Sequence, residues 1–280
     1  MDNYGKNVLN STLPYSNEVE ALINYTIHLA DTSLILGHRN SEWTGSGPVL
    51  EQDIAISNIA LDLIGQARNF YLYAASLINQ YPGRYPFTNG FDRPVTEDDL
   101  AYLRDTLEFR NYLLTEQPNG DWAQTILRQF LFSAWQFPFY EALRKSTDER
   151  LSAIAEKSVK ETTYHLKWSS EWVIRLGDGT SESHHRMLNA INELVNFTGE
   201  QFEPAPYETT LVSTNTSVDL KALKPVWNQT VHSVFEEATL PFSPGGWSQT
   251  GGKTGVHTEH LGLILAEMQF LQRAYPNAIW

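Results

Sequence analysis

The sequence contains no cysteine. That absence removes disulfides, thiolate metal sites, iron–sulfur clusters and cysteine nucleophiles together, and it fits a reducing compartment. Any metal would have to be held by His, Asp or Glu. No run of apolar residues is long enough to span a bilayer, and the amino-terminal MDNYGKNVLN lacks the apolar stretch of a secretory signal, so the expected address is the cytoplasm, with no membrane contact. Positive charge is scarce: 20 Lys and Arg stand against 33 Asp and Glu, a net charge of -13. With no basic run to interrupt it, that charge repels a phosphate backbone, and nucleic acid is not an expected partner. Strand signals are nearly absent and internal repeats are absent, as are a glycine-rich phosphate loop, a nucleophile elbow and a zinc-protease helix, so no catalytic apparatus is visible.

What the chain does hold is apolar material at helical spacing. Its 280 residues are 41% hydrophobic and 12% aromatic, enough for a sizeable core. From Asn17 to about His38, apolar residues recur at helical spacing, with Ser16 or Asn17 placed to cap them. After SEWTGSGP, the stretch LEQDIAISNIALDLIGQARNFYLYAASLINQY is free of proline and would span roughly 45 Å as a helix. YPGRYPFTNGFDRPV is turn-rich, and Thr96 is placed to cap a helix expected to run to about Glu116. QPNG stops it, and DWAQTILRQFLFSAWQFPFYEALRKS begins another, expected to kink or break near Pro138. STDERLS opens the helix that holds KETTYH, LGDGT ends it, and ESHHRMLNAINELVNFTGEQF is a further helix. EPAPYETTLVSTNTS reads as a polar loop, helices follow at about 221–239 and 257–275, and the segment between them is glycine-rich. The expectation is one all-α domain over residues 1–280, with a flexible extension at 1–15 and loops at 203–220 and 241–256. Long helices joined by short breaks indicate a ferritin-like four-helix bundle with additional helices.

Such a bundle holds two irons with a carboxylate from each of two helices and Glu-x-x-His from each of the other two. The KETTYH helix meets this pattern halfway. Its stripe of Leu151, Ile154, Ala155, Ser158, Thr162, His165, Ser169, Trp172, Val173 and Leu176 is the buried face, which points His165 into the core. Thr162 stands where the glutamate would be, and Glu161 sits about 40° round the helix on the flank of that face. The second long helix offers Asp62, Gly65, Gln66, Arg68 and Asn69 but no histidine, and the first offers only Asp31 near its inward centre. No metal is expected in this chain, and its buried polar groups should satisfy one another, for instance Arg68 with Asp62 or Glu161. The competing reading is a di-iron oxygenase or oxidase, or a ferritin-like metal-binding protein, that uses Asp31, Asp62, Glu161 and His165. His257 and His260 open a helix with no identifiable third ligand, which favours capping and packing, and the adjacent His184 and His185 are expected at the surface. Arg104, Arg110 and Asn111 are donors suited to an anionic or amide-bearing ligand, or else form a solvated helix face. Trp43, Trp122, Trp135, Trp168 and Trp172 are expected to fill the core or an interface.

Four blocks, NIALDLIGQARNFYLYAA, LLTEQPNGDWAQTILRQF, KETTYHLKWSSEWVIRLGDGT and GGKTGVHTEHLGLILAEMQFLQRAYP, resemble the C-subunit family of the bacterial phenylacetyl-CoA epoxidases, also called ring phenylacetate-CoA oxygenases. The resemblance spans nearly the whole chain, apart from the first dozen or so residues and the 203–220 loop. It implies a structural, non-catalytic subunit in aerobic phenylacetate degradation that pairs with a homologous A subunit. In such a complex the A subunit holds the di-iron centre and epoxidises the ring, while a reductase with flavin and an iron–sulfur cluster supplies electrons from NADPH. No cofactor falls to this chain. Further oxygenase subunits are implied as partners, and a homodimer of the isolated chain is left open. Gly65 and Arg68 then fall where one Glu-x-x-His would stand, and Thr162 and His165 where the other would. The resemblance also implies contact with the CoA part of phenylacetyl-CoA, or of a related aryl-CoA, through Glu108, Phe109, Arg110 and Asn111, and through Thr209, Thr210 and Leu211. A local salt bridge is the alternative use of Glu108 beside Arg110.

Overall fold

The computed structural model describes residues 15–88, 91–242, 246–275 and 278, and every regular element among them is helical. The expected extension at 1–15 lies outside the described residues except for Tyr15. Helix α1 (Asn17–Ser41) starts at Ser16, whose Oγ accepts from the Val19 N–H at 3.3 Å, and Glu18 and Glu20 complement the helix dipole in its first turn. Helix α2 (Leu50–Asn79) packs along α1 through Ile56, Ile59, Leu63, Ala67, Phe70 and Ala74, which recur at three- and four-residue intervals. Two short helices, α3 (Glu97–Tyr102) and α4 (Leu113–Glu116), precede the second long pair, α5 (Trp122–Leu143) and α6 (Glu149–Gly177). α5 packs on α6 and α6 on α2, which closes a ferritin-like bundle. The outer layer is α7 (Ser181–Leu194) and α9 (Leu220–Glu237) on α5, α8 (Pro206–Val212) on α1, and α10 (Glu259–Met268) with α11 (Phe270–Ala274) near α4.

α5 is buried on nearly every side, which makes it the central helix. Trp135 is 1% exposed, 5.0 Å from the Tyr112 ring and 4.5 Å from Phe139. Truncation of such a side chain to alanine costs about 3–5 kcal/mol. The kink or break expected at Pro138 does not end the helix, which continues to Leu143. Pro138 leaves the Ala134 carbonyl without its helical donor, and burial of Phe139, Tyr140 and Leu143 just beyond offsets a loss of about 3 kcal/mol.

Three other expectations are corrected. The helix capped by Thr96 ends at Tyr102 rather than near Glu116, because the segment that follows is drawn out to meet buried partners. The 203–220 loop contains α8, which starts with proline in its first turn and an Ala205 N–H bonded to Glu208 Oε2 at 2.7 Å, and which buries Tyr207, Glu208 and Leu211. Of the histidine pair, His185 is exposed, whereas His184 is half-buried and donates from Nδ1 to the Gly177 carbonyl at the end of α6. Trp135 and Trp168 are core residues, and the half-buried Trp43 and Trp172 lie 5.1 and 5.9 Å from the half-buried Trp122, which also meets Trp168 at 6.1 Å. Among the described residues no helix is long and apolar enough to cross a membrane.

Candidate functional site

Midway along the bundle, α2 and α6 face each other with polar side chains. His165 is fully buried, as its register requires, with Nε2 3.0 Å from Asp62 Oδ2. One turn away, Gln66 Nε2 donates to Glu161 Oε2 at 2.8 Å, while Gln66 Oε1 accepts from Gln136 Nε2 at 3.0 Å and from the Tyr140 hydroxyl at 3.1 Å. Thr162 donates to the Ser158 carbonyl at 3.2 Å, so its hydroxyl is engaged within its own helix. The inward place on α2 belongs to Gln66, which has both a donor and an acceptor to connect its neighbours.

Gly65 and Arg68, by contrast, are on the outer face. A Cβ at Gly65 would meet open space, and the Arg68 side chain is 69% exposed and pairs with Glu97 at 3.4 Å. The expected pairing of Arg68 with Asp62 or Glu161 does not occur. Position 68 lies about 200° round the helix from the inward Gln66, so its guanidinium leaves on the opposite side. Asp31 is also elsewhere, held by Arg104, and the set Asp31, Asp62, Glu161 and His165 does not converge on one point. Among the described residues no three His, Asp or Glu side chains are grouped so as to hold a metal ion.

The second polar centre is the segment between α3 and α4, threaded between α1 and the glycine-rich loop. Arg104 is 1% exposed and grips the Asp31 carboxylate with both terminal nitrogens, which corrects the solvated-face alternative for this residue. Asp31 also accepts from the Tyr71 hydroxyl at 2.5 Å and from the Arg110 N–H at 2.8 Å. Burial opposes the charge on Arg104, but the carboxylate against it wins and raises its pKa. The Phe109 ring closes the site from above, its centroid 4.4 Å from the guanidinium. His28 is driven down to a pKa of about 3 by burial, with the Lys253 charge adding to the effect, and its neutral ring donates from Nδ1 to the Arg110 carbonyl.

Glu116 is the hub on the far side of the segment. Its Oε1 accepts from the N–H and the hydroxyl of Thr258, both at 2.7 Å, and its Oε2 accepts from Asn111 Nδ2 at 2.8 Å. His257 Nδ1 lies 2.9 Å from Oε2, and His257 Nε2 lies 2.9 Å from the Phe109 carbonyl. Both ring nitrogens face acceptors, so both carry protons and the ring is an imidazolium. Burial works against that charge, and the Glu116 carboxylate with the Phe109 carbonyl outweighs it and raises the pKa. His257 thus takes the packing role expected of it and ties the start of α10 to the segment.

The loop itself is fastened by two further buried acids. Glu200 accepts from the backbone of Leu113 and Gly251, and Glu208 pairs with Lys253 at 2.7 Å. Glycine is required where the loop crosses the segment: a Cβ at Gly252 would lie 2.3 Å from the Asn111 carbonyl. At Gly255, φ is +86° and a Cβ would lie 2.3 Å from the Leu107 carbonyl.

The residues expected to touch CoA divide by exposure. Phe109, Asn111 and Leu211 are buried and serve packing and hydrogen bonding. Glu108 and Arg110 are half-buried, and Thr209 and Thr210 are exposed on α8. Glu108 accepts from the Asp105 N–H at 2.8 Å rather than bridging to Arg110, whose guanidinium lies 5.9 Å from the Tyr207 ring centre. Arg110 and α8 therefore share one side of the molecule. Sequence reasoning missed Glu116, Glu200, Glu208 and Lys253, because nothing local marks a buried acid whose partners lie far along the chain.

Comparison with known proteins agrees with this architecture. A family model described as "Phenylacetic acid catabolic protein" matches residues 9–280. The chain is 44% identical over 259 residues to the C-subunit of 1,2-phenylacetyl-CoA epoxidase from Escherichia coli (strain K12), a match that covers 92% of this chain and 99% of that one. With a helical bundle matched along almost its entire length, the chain belongs to the phenylacetic acid catabolic protein family.

Proposed function

We propose that this chain is the structural, non-catalytic subunit of an oxygenase complex that epoxidises the ring of phenylacetyl-CoA, and that it docks on a catalytic di-iron subunit through the outer face of α2. The observation that carries the docking is a bare apolar stripe. Leu50, Ile54, Leu61 and Ile64 are 72%, 51%, 66% and 39% exposed. At 100° per residue they project within about 40° of the direction of Leu50. Tyr164, 47% exposed, lies on α6 next to the His165 that bonds α2. Exposed apolar side chains gathered on one side of a helix, here with Ser57 among them and Arg68 at the end, mark an interaction surface, and a permanent interface is rich in such area.

The bundle centre supports the non-catalytic part of the reading. Glu161 is engaged by Gln66 and His165 by Asp62, and Thr162 and Gln66 occupy inward places that a di-iron site would give to carboxylates. Iron, reductase and NADPH chemistry then belong to other subunits. Arg110, half-buried and 5.9 Å from the Tyr207 ring centre of α8, is the residue that would meet a CoA phosphate or pantetheine amide, with the exposed Thr209 and Thr210 of α8 as further candidates.

Co-expression with a candidate catalytic subunit tests the reading. A stable complex is expected, with epoxidation of phenylacetyl-CoA that depends on this chain; a catalytic subunit fully soluble and active alone would overturn it. Iron analysis of the chain purified alone separates the competing oxygenase or metal-binding reading, which requires near-stoichiometric iron that is lost with His165→Ala.

A further inference from the structure

α9 carries Lys221 and Lys224 about one turn apart, so both ammonium groups leave the helix on the same side. That side faces two 3-10 turns, Val195–Phe197 and Gly199–Phe202, and the backbone around Trp247, and together they enclose a cleft of about 380 Å³. The floor is aromatic. The Phe202 and Trp227 rings are 5.5 Å apart, and Phe242 lies 6.3 Å from Trp227. Lys224 Nζ stands 6.0 Å from the centre of the Phe202 ring. Trp247 is 72% exposed at the mouth, on a backbone pinned by the Gly199 N–H to Ser248 Oγ at 3.2 Å and the Gln249 N–H to the Asn196 carbonyl at 2.9 Å. Asn196, Thr198 and Asn228 supply amide and hydroxyl groups along the wall, and among the described residues Glu203 is the one carboxylate lining it.

These features call for a ligand that is both anionic and flat. Among the described residues neither lysine has a carboxylate within 4.0 Å, in a chain where acids outnumber bases 33 to 20. A large indole held in water beside two free ammonium groups matches the stacking and charge that a phosphorylated heterocycle requires. A bare phosphate would leave the aromatic floor and rim unused, and the volume falls in the range of small-molecule sites, about 300–1,000 Å³. We propose that this cleft binds a nucleotide, for which ADP is the probe, with phosphates on Lys221 and Lys224 and the base against Trp247. The same adenosine phosphate is presented by a free nucleotide and by the nucleotide end of a CoA ester. The site is separate from the segment around Arg110 and does not depend on the oxygenase reading.

The test is a titration of the full chain with ADP, CoA, adenosine and inorganic phosphate, read by tryptophan fluorescence and calorimetry. ADP or CoA is expected to saturate at micromolar to low-millimolar concentration, roughly tenfold or more tighter than adenosine or phosphate, and to weaken with salt. Tighter ADP identifies a free nucleotide, and tighter CoA a CoA ester. Lys221→Ala with Lys224→Ala should weaken binding about tenfold or more, and Trp247→Ala should reduce the fluorescence change and weaken binding by calorimetry. All three side chains are exposed, so an unchanged melting temperature is expected in each variant. Failure of ADP and CoA to saturate, equal binding of adenosine or phosphate, or binding unaffected in the double lysine variant would overturn the proposal. CoA binding that survives the lysine changes but is lost with Arg110→Ala would place CoA at the other site, and ADP binding that also survives the lysine changes would overturn the proposal.

Discussion

Glu116 and His257 are 141 residues apart in the chain and meet at 2.9 Å inside the protein, with the Phe109 carbonyl on the other side of the imidazole. From the end of α4, one carboxylate thereby ties the drawn-out segment through Asn111 to the start of α10, 142 residues further along the chain.

The pair makes stability depend on pH in a stated direction. The folded His257 pKa is raised above 6.5, so the folded state binds the proton more tightly than the unfolded chain. Its contribution is fully present below 6.5 and is lost as pH rises through the folded value. Thermal melts across that window should show a fall in Tm that His257→Gln lacks; an identical fall in the variant would contradict the assignment.

Removing one partner of the buried Asp31–Arg104 pair should be severe. Arg104→Met leaves Asp31 with its Tyr71 and Arg110 backbone donors but no counter-charge, and a loss of about 3–5 kcal/mol is expected in urea denaturation. A loss below about 1 kcal/mol would show the pair to be dispensable.

Two glycine substitutions should have opposite signs. Gly252→Ala drives a methyl into the Asn111 carbonyl and should destabilise by about 1–3 kcal/mol. Gly65→Ala adds a methyl in open space inside α2 and should stabilise by about 0.5–1 kcal/mol. Melting temperatures of the two proteins check both.

Leu50→Glu with Leu61→Glu should leave the isolated chain folded, because both side chains already face solvent, and should prevent co-purification with a catalytic subunit. Retention of the complex would move the docking surface away from α2.

The residues that could be read locally are those whose neighbours are local. The Ser16 and Thr96 caps, the length of α2 and the buried stripe of α6 with His165 inside it all follow from three- and four-residue spacing and from side chains that bond their own backbone. Trp168 joins that stripe, while Trp172 and Leu176 sit half-buried at its edge, because neighbouring helices rather than spacing set its width.

The sequence by itself determined an all-α chain, its long helices and the shortage of a complete iron-ligand set along them, since helical period and ligand type are properties of consecutive residues. Only the tertiary structure decided that Arg68 faces outward while Gln66 and Glu161 meet inside, and that 203–220 holds a helix. It also decided that the helix from Thr96 stops at Tyr102, because Asp31, Glu116 and Glu200 offer the following backbone and side chains buried hydrogen bonds that a continued helix could not form. Those partners come from other parts of the chain, and a helical period carries no record of them.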